Sequence, residues 1–179
     1  MINNSIVPLF EDFTQKVEAS KVPRLSINIL NLLNTQIMNE IDSERIYKAM
    51  SIYLHDNDML NASKYFFDES NEEHDHANKI YGYMFDMNCT PVVPKNVLDV
   101  RVEFTDVRDV IATSLAHEIV LSNAWNNIAN VAKQEGDNAT LSFALSFVNE
   151  QIEEENKFRD ILSKIDSGMP NWELDTQFK

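Results

Sequence analysis

Four stretches of this chain repeat apolar side chains at helical spacing for about eight turns each, and few residues interrupt them. The first runs from Ser26 to His55, with Ser26 as N-cap after Pro23 and a stripe of Leu30, Leu33, Ile37, Ile41, Tyr47 and Leu54. A polar link, Asp56-Asn57-Asp58, leads to the second, Met59 to Met87, whose stripe is Ala62, Phe66, Ala77, Ile80 and Met84. The third spans Asp106 to Gln134, with Thr105 as its candidate cap and Val107, Ile111, Leu121, Trp125, Ile128 and Ala132 facing inward. Gly136 stops it, Asp137 or Asn138 caps the next, and the fourth runs from Ala139 to Ile165 on Leu141, Ala144, Val148, Phe158, Leu162 and Ile165. Three glycines and five prolines in 179 residues are too few for the turns of a β-sandwich or barrel. The expected fold is all-α, one core shared by four helices.

The connections predict the topology. The first and second helices, and the third and fourth, are joined by a few residues, so each pair is an antiparallel hairpin. The link from Asn88 to Phe104, with Pro91 and Pro94, reaches about 55 Å when extended, longer than the roughly 43 Å of a 29-residue helix. It can therefore run the length of the bundle and leave helices two and three parallel, an up-down-down-up order. We divide the chain into an N-terminal extension (1–24), the bundle (25–166) and a tail (167–179). Leu9, Phe10, Phe13 and Val17 predict a short amphipathic helix in the extension, and Pro170, Trp172 and Leu174 a short fifth helix in the tail.

Composition narrows the function. With 29 acidic against 15 basic residues the net charge is −14, which disfavours nucleic-acid backbones and suits cations. The lone cysteine, Cys89, excludes an intrachain disulfide or a cysteine zinc cluster and fits a reducing, cytoplasmic setting. No apolar run reaches the roughly 20 residues of a membrane span, and Glu11 and Asp12 interrupt what would otherwise resemble a signal segment.

Acids also stand where apolar residues belong. Glu40 and Glu44 fall between Ile37 and Tyr47; Glu69, Glu73 and His76 between Phe66 and Ile80; Glu118 between Ile111 and Trp125; Gln151 and Glu154 between Val148 and Phe158. An unpaired carboxylate in a core costs several kcal/mol, so four at one depth require cations. Glu73 and His76, three residues apart, can offer an oxygen and an imidazole to one metal. Glu40, Glu73, Glu118 and Glu154 carry four charges, which two divalent ions neutralise, and oxygen and imidazole donors without thiolate favour iron or manganese. Glu44 and Glu69, on the stripe margin, are expected in surface or inter-subunit salt bridges, and His74 in solvent.

The residues resemble the non-haem ferritins, especially the bacterial type, over about Leu25 to Ile165. Leu33-Asn34-Thr35-Gln36-Ile37-Met38-Asn39-Glu40 is similar to that family's first helix, Glu72-Glu73-His74-Asp75-His76-Ala77 to its Glu-Glu-x-x-His-Ala run, His117-Glu118 to its third-helix glutamate and Glu150-Gln151-Ile152-Glu153-Glu154-Glu155 to its fourth-helix block. The resemblance implies a ferritin-like four-helix bundle holding non-haem iron, two ions per subunit, and no haem. Glu40, Glu73 and His76 would bind the first iron with Glu73 bridging. Glu118 and Glu154 would bind the second with Gln151 beside it, and Tyr47 would bond a ligand, give an electron or anchor a glutamate. Glu72, Glu150 and Glu153 resemble an adjacent third iron site; an acidic inner surface is the equal alternative. The fourth helix has Gln151-x-x-Glu154, with no histidine, where related di-iron bundles have a second Glu-x-x-His; His74 stands where bacterioferritins have a haem-ligand methionine, and Ser146 where many bacterial ferritins have tryptophan.

The implied function is a ferroxidase that oxidises Fe(II) with O2 or H2O2 and stores the ferric mineral in a 24-subunit homo-oligomeric shell in the cytoplasm, with no nucleic-acid or membrane partner. The alternative is a di-iron peroxidase or oxygenase acting as a small oligomer; a metal-free structural bundle is the third reading.

Overall fold

Ser26 starts the first helix as expected, its Oγ accepting from the Ile29 N–H at 3.1 Å. The computed structural model describes residues 22–94 and 100–178. Among them are five helices: α1 (Ile27–Asp56), α2 (Leu60–Asp86), α3 (Val107–Glu135), α4 (Asn138–Asp166) and α5 (Asn171–Asp175). Asp106, not Thr105, caps α3, its carboxylate accepting from the Asp109 N–H at 2.7 Å. Thr105 instead gives its own N–H and hydroxyl to Asp109. Gly136 ends α3 in the left-handed region at φ 74°, where a side chain would be strained, and Asp137 caps α4. Leu9, Phe10, Phe13 and Val17 lie outside the described residues.

Cross-helix contacts give the topology. Ser43 meets His117 and Asn28 meets Glu135, so α1 and α3 are antiparallel; Glu69 meets Lys157 and Tyr83 meets Thr140, so α2 and α4 are antiparallel as well. With the two hairpins this is the up-down-down-up bundle. The link between α2 and α3 passes Asn34, whose Oδ1 accepts from the Val92 N–H, and arrives at Tyr53, which packs on Phe104 with ring centroids 5.6 Å apart. It therefore travels most of the length of α1.

The core is split in two. One cluster holds Ile29, Leu33, Ile37, Ile80, Met84, Trp125, Ile128 and Phe147; the other holds Tyr47, Met50, Leu54, Phe66, Val110, Ile111, Phe158 and Ile161. Each buried side chain of this size contributes about 1.5–3 kcal/mol. On α4 the expected Ala144 and Phe158 are buried, but Phe147 and Ile161 are core in place of their neighbours Val148 and Leu162, and Leu141 and Ile165 are only partly covered. Phe147 and Ile161 are each adjacent in sequence to an equally apolar neighbour, and only the ring stack of Phe147 on Trp125, centroids 3.9 Å apart, chooses between them at the first.

The tail closes the second cluster. Leu174 and Phe178 are buried there, whereas Trp172 is exposed. The first residues of α2 have no capping side chain of their own. Asp175, from the far end of the chain, accepts from the Ala62 N–H at 2.9 Å and from Asn61 Nδ2 at 2.9 Å.

Candidate metal centre

Between the two apolar clusters lies a polar layer. Glu40, Glu73, His76, Glu118 and Gln151 are all buried within the bundle, and so is Glu69. The helices that pack above and below hold these backbones in place, so the charged side chains are imposed on a site that solvent cannot relieve.

The α1–α2 hairpin brings three of them together. Glu40, Glu73 and His76 present ligand atoms within 4.8 Å of one another. Gln36, one turn before Glu40, donates from Nε2 to Glu40 Oε1 at 2.8 Å, and Asn39 Nδ2 fixes Gln36 in turn at 3.0 Å. The other oxygen, Glu40 Oε2, is buried without a hydrogen-bond partner. His76 donates from Nδ1 to Glu73 at 3.1 Å and from Nε2 to Glu150 at 3.2 Å. Burial and the neighbouring Glu73 push the Glu40 carboxyl well above the usual carboxylate range. Burial works against charge on His76, but Glu150, Glu73 and Glu40 outweigh it and raise the imidazole to about 10. In the absence of metal, protons thus stand in for cations here.

The α3–α4 hairpin brings together the others. Tyr47 donates to Glu118 Oε1, and Gln151 Nε2 donates to Glu118 Oε2 at 2.6 Å. Burial raises Glu118 to about 8, against the lowering effect of the Gln151 bond. Glu154 is half-buried, raised mainly by burial, and both its oxygens accept from Lys157 Nζ at 2.9 Å. Lys157 also reaches Glu69 at 3.4 Å. Glu69, expected in a surface or inter-subunit salt bridge, is buried and pairs with the partly covered Lys157 of α4, and burial with Glu154 nearby raises it to about 7. Its position on the margin of the stripe turns inward because α4 packs against that margin.

The remaining acids are peripheral. Glu72 and Glu153 are exposed, and Glu150 is half-buried with its oxygen on His76. Glu44 is half-buried and accepts from Lys48 Nζ at 3.2 Å and from the exposed His74 at 3.3 Å. Four residues that serve the layer were not singled out from the sequence for these roles: Gln36, His117, Lys157 and Glu69 as an inner acid. Gln36 had a readable signal, since it shares the stripe of Leu33, Ile37 and Glu40. His117 is held below its ordinary value by burial, and its Nε2 is 2.7 Å from Ser43 Oγ, which donates to the Asn39 carbonyl. A neutral ring donating from Nε2 satisfies both contacts.

The donors fit divalent cations with a preference for oxygen and nitrogen. Glu40 keeps an orphaned carboxylate oxygen, its carboxylate lies within 4.8 Å of ligand atoms of Glu73 and His76, and no thiolate is present among them.

Comparison with known proteins identifies the family. The model of the ferritin-like domain family matches residues 30–167. The bacterial non-heme ferritin of Staphylococcus aureus (strain USA300) is 31% identical over 134 residues, 75% of this chain and 80% of that protein. Its counterpart from Staphylococcus epidermidis is 30% identical over 144 residues, covering 79% and 86%. A crystal structure of an open pore ferritin from Archaeoglobus fulgidus superimposes with a TM-score of 0.81 at 25% identity, covering 86% of this chain and 97% of that one. A helical bundle with a buried cluster of two carboxylates and an imidazole can hold a metal ion, as ferritin-like bundles do. This chain belongs to the ferritin family.

Proposed function

We propose that the protein is an iron-storage ferritin with ferroxidase activity. The observation that carries this reading is the Glu40–Glu73–His76 cluster, whose ligand atoms lie within 4.8 Å of one another and in which Glu40 Oε2 is buried without a partner. Fe(II) is the substrate. Glu40, Glu73 and His76 bind the first ion, and Glu118 and Glu154 the second, with Glu73 between them and Gln151 holding Glu118 in place. Each Fe(II) gives up one electron. O2 takes two electrons and two protons and leaves as H2O2; when H2O2 is the oxidant, two electrons and two protons convert it to two waters.

Retention is weak by design of the second subsite. Helix α4 offers Gln151-x-x-Glu154, with no histidine, in place of a second Glu-x-x-His pair, so the second subsite lacks one strong ligand and the oxidised pair moves on to storage. Glu72, Glu150 and Glu153 form an acidic patch beside the centre that receives it. Storage requires a closed homo-oligomer, which we take to be of 24 subunits. Ile52, Leu60 and Phe67, large and exposed around one groove of the α1–α2 hairpin, supply an apolar surface for self-association.

Replacing Glu73 with alanine tests the site. The initial rate of Fe(II) oxidation, followed by ultraviolet absorbance of the ferric product, should fall more than about tenfold, while far-ultraviolet circular dichroism stays unchanged. An unaltered rate would remove the assignment. Size-exclusion chromatography after aerobic loading tests storage: iron far in excess of two per subunit should travel with a particle of several hundred kilodaltons.

A further inference from the structure

We propose that Lys157 is a tethered cation that fills the α3–α4 subsite when no metal is bound, and that a second metal ion binds only by displacing it. The inference rests on the two-metal reading above and deepens it by naming what controls the order of filling.

The geometry is that of an occupant. Lys157 Nζ lies 2.9 Å from both oxygens of Glu154 and 3.4 Å from Glu69 Oε1, bridging α4 to α2 across the layer. Its position over the Tyr65 ring, 5.0 Å from the centroid, holds the ammonium inward. A divalent ion drawn to Glu154 would meet this positive charge first, and Glu154 cannot give both oxygens to the ammonium and to a metal at once. Among the described residues, no lysine or arginine is bonded to Glu40 or Glu73 of the first subsite.

Lys157 has somewhere to go. Glu153, one turn earlier on α4, is exposed, as is Asp160, three residues on; both lie at spacings that a lysine side chain spans on a helix. The stem is long and the side chain is only partly covered, so rotation about its own bonds releases Glu154 without moving the backbone. The two subsites therefore fill in sequence, the Glu40–Glu73–His76 site first. The α3–α4 site reseals on its own ammonium when the ion leaves.

The test is Zn(II) binding to the full chain, stripped of metal and followed by isothermal titration calorimetry under anaerobic conditions. The wild type should take one ion tightly and a second more weakly. Lys157→Met keeps the stem and removes the charge; it should tighten the second ion at least roughly tenfold and leave the first within about twofold. Lys157→Arg should restore the weak second event. Lys157→Gln, which also removes the charge, takes its place if the methionine variant folds poorly, and Arg159→Met, close by on α4 but outside the layer, is the matched control for loss of charge. An unchanged second affinity in Lys157→Met overturns the proposal, and so does equal tightening at both sites, which would reduce the effect to general charge. If no second ion binds to any variant while the first still binds, the α3–α4 subsite itself fails. If Glu73→Gln leaves Zn(II) binding intact, the function proposed above fails independently.

Discussion

Loading the Glu40–Glu73–His76 cluster with a divalent ion should expel between one and two protons per ion at pH 7. His76 supplies the first: it titrates at about 10 in the fold, so it is protonated at neutrality, and an imidazole must give up a proton to become a ligand. Glu40 supplies the second, because burial and Glu73 hold its carboxyl well above the usual range. A histidine with an ordinary value near 6.5, beside ionised glutamates, would release only about 0.25 proton at that pH. The sign follows from proton counting. The metal-bound state holds fewer protons, so binding strengthens as pH rises, by one decade per pH unit for each proton released. Between pH 6 and 7.5 the affinity for Zn(II) should rise about 30-fold for one proton and about 1000-fold for two. Calorimetric titration in two buffers of different ionisation heat counts the protons directly. His76→Asn should lower the count by one. Fewer than half a proton per ion, together with an affinity that ignores pH, would refute the electrostatic account of the layer.

Other consequences are open to simple measurement. Glu118 titrates at about 8 in the fold against about 4.5 when unfolded, so its contribution is fully present below the lower value and is lost as pH rises through the upper one. Metal-free protein should melt at a lower temperature at pH 9 than at pH 6, and Glu118→Gln should flatten that difference; a wild-type melting point that rises with pH over this range would contradict the assignment. Asp175→Ala removes the cap on α2 and should cost about 1 kcal/mol, read as a fall of roughly 2–4 °C in the melting temperature. Phe66→Ala empties a fully buried position packed on Tyr47 and Phe158 and should cost about 3–5 kcal/mol in urea denaturation. A cost below 1 kcal/mol would mean that this part of the core is not packed as described.

How far the sequence could carry the reading depends on the range of each interaction. Helix boundaries came from local signals, Ser26, Gly136 and Asp137, and these cap their helices as expected. The long link before α3 was enough for the topology, because length alone restricts which helices can be parallel. Glu40, Glu73, His76, Glu118 and Gln151 were legible as buried because the apolar residues on either side of them, one or two turns away, carry their face of the helix into the core. Lys157 was not. A lysine three residues after a glutamate reads as a surface pair, and only the packing of α4 on α2 turns it inward. The Asp175 cap was equally hidden, since it acts across more than a hundred residues of chain. The exchanges of Phe147 for Val148 and Ile161 for Leu162 on α4 show the remaining weakness: adjacent apolar residues compete for one place, and the partner helix decides.

The division of the polar layer between the two hairpins bears on how the molecule comes together. Glu40, Glu73 and His76 belong to one half, and Glu118, Gln151 and Glu154 to the other. On the proposed function each half is a clip for a single ion, and a folding hairpin could grip its ion before meeting the other. The docking of the halves is what makes a two-electron reaction available. That docking is held at the layer by Tyr47 on Glu118, Ser43 on His117, His76 on Glu150 and Lys157 on Glu69. The separation of the two ions is thus a property of assembly, and a change in the apolar seam far from any ligand can retune the chemistry by altering that distance alone.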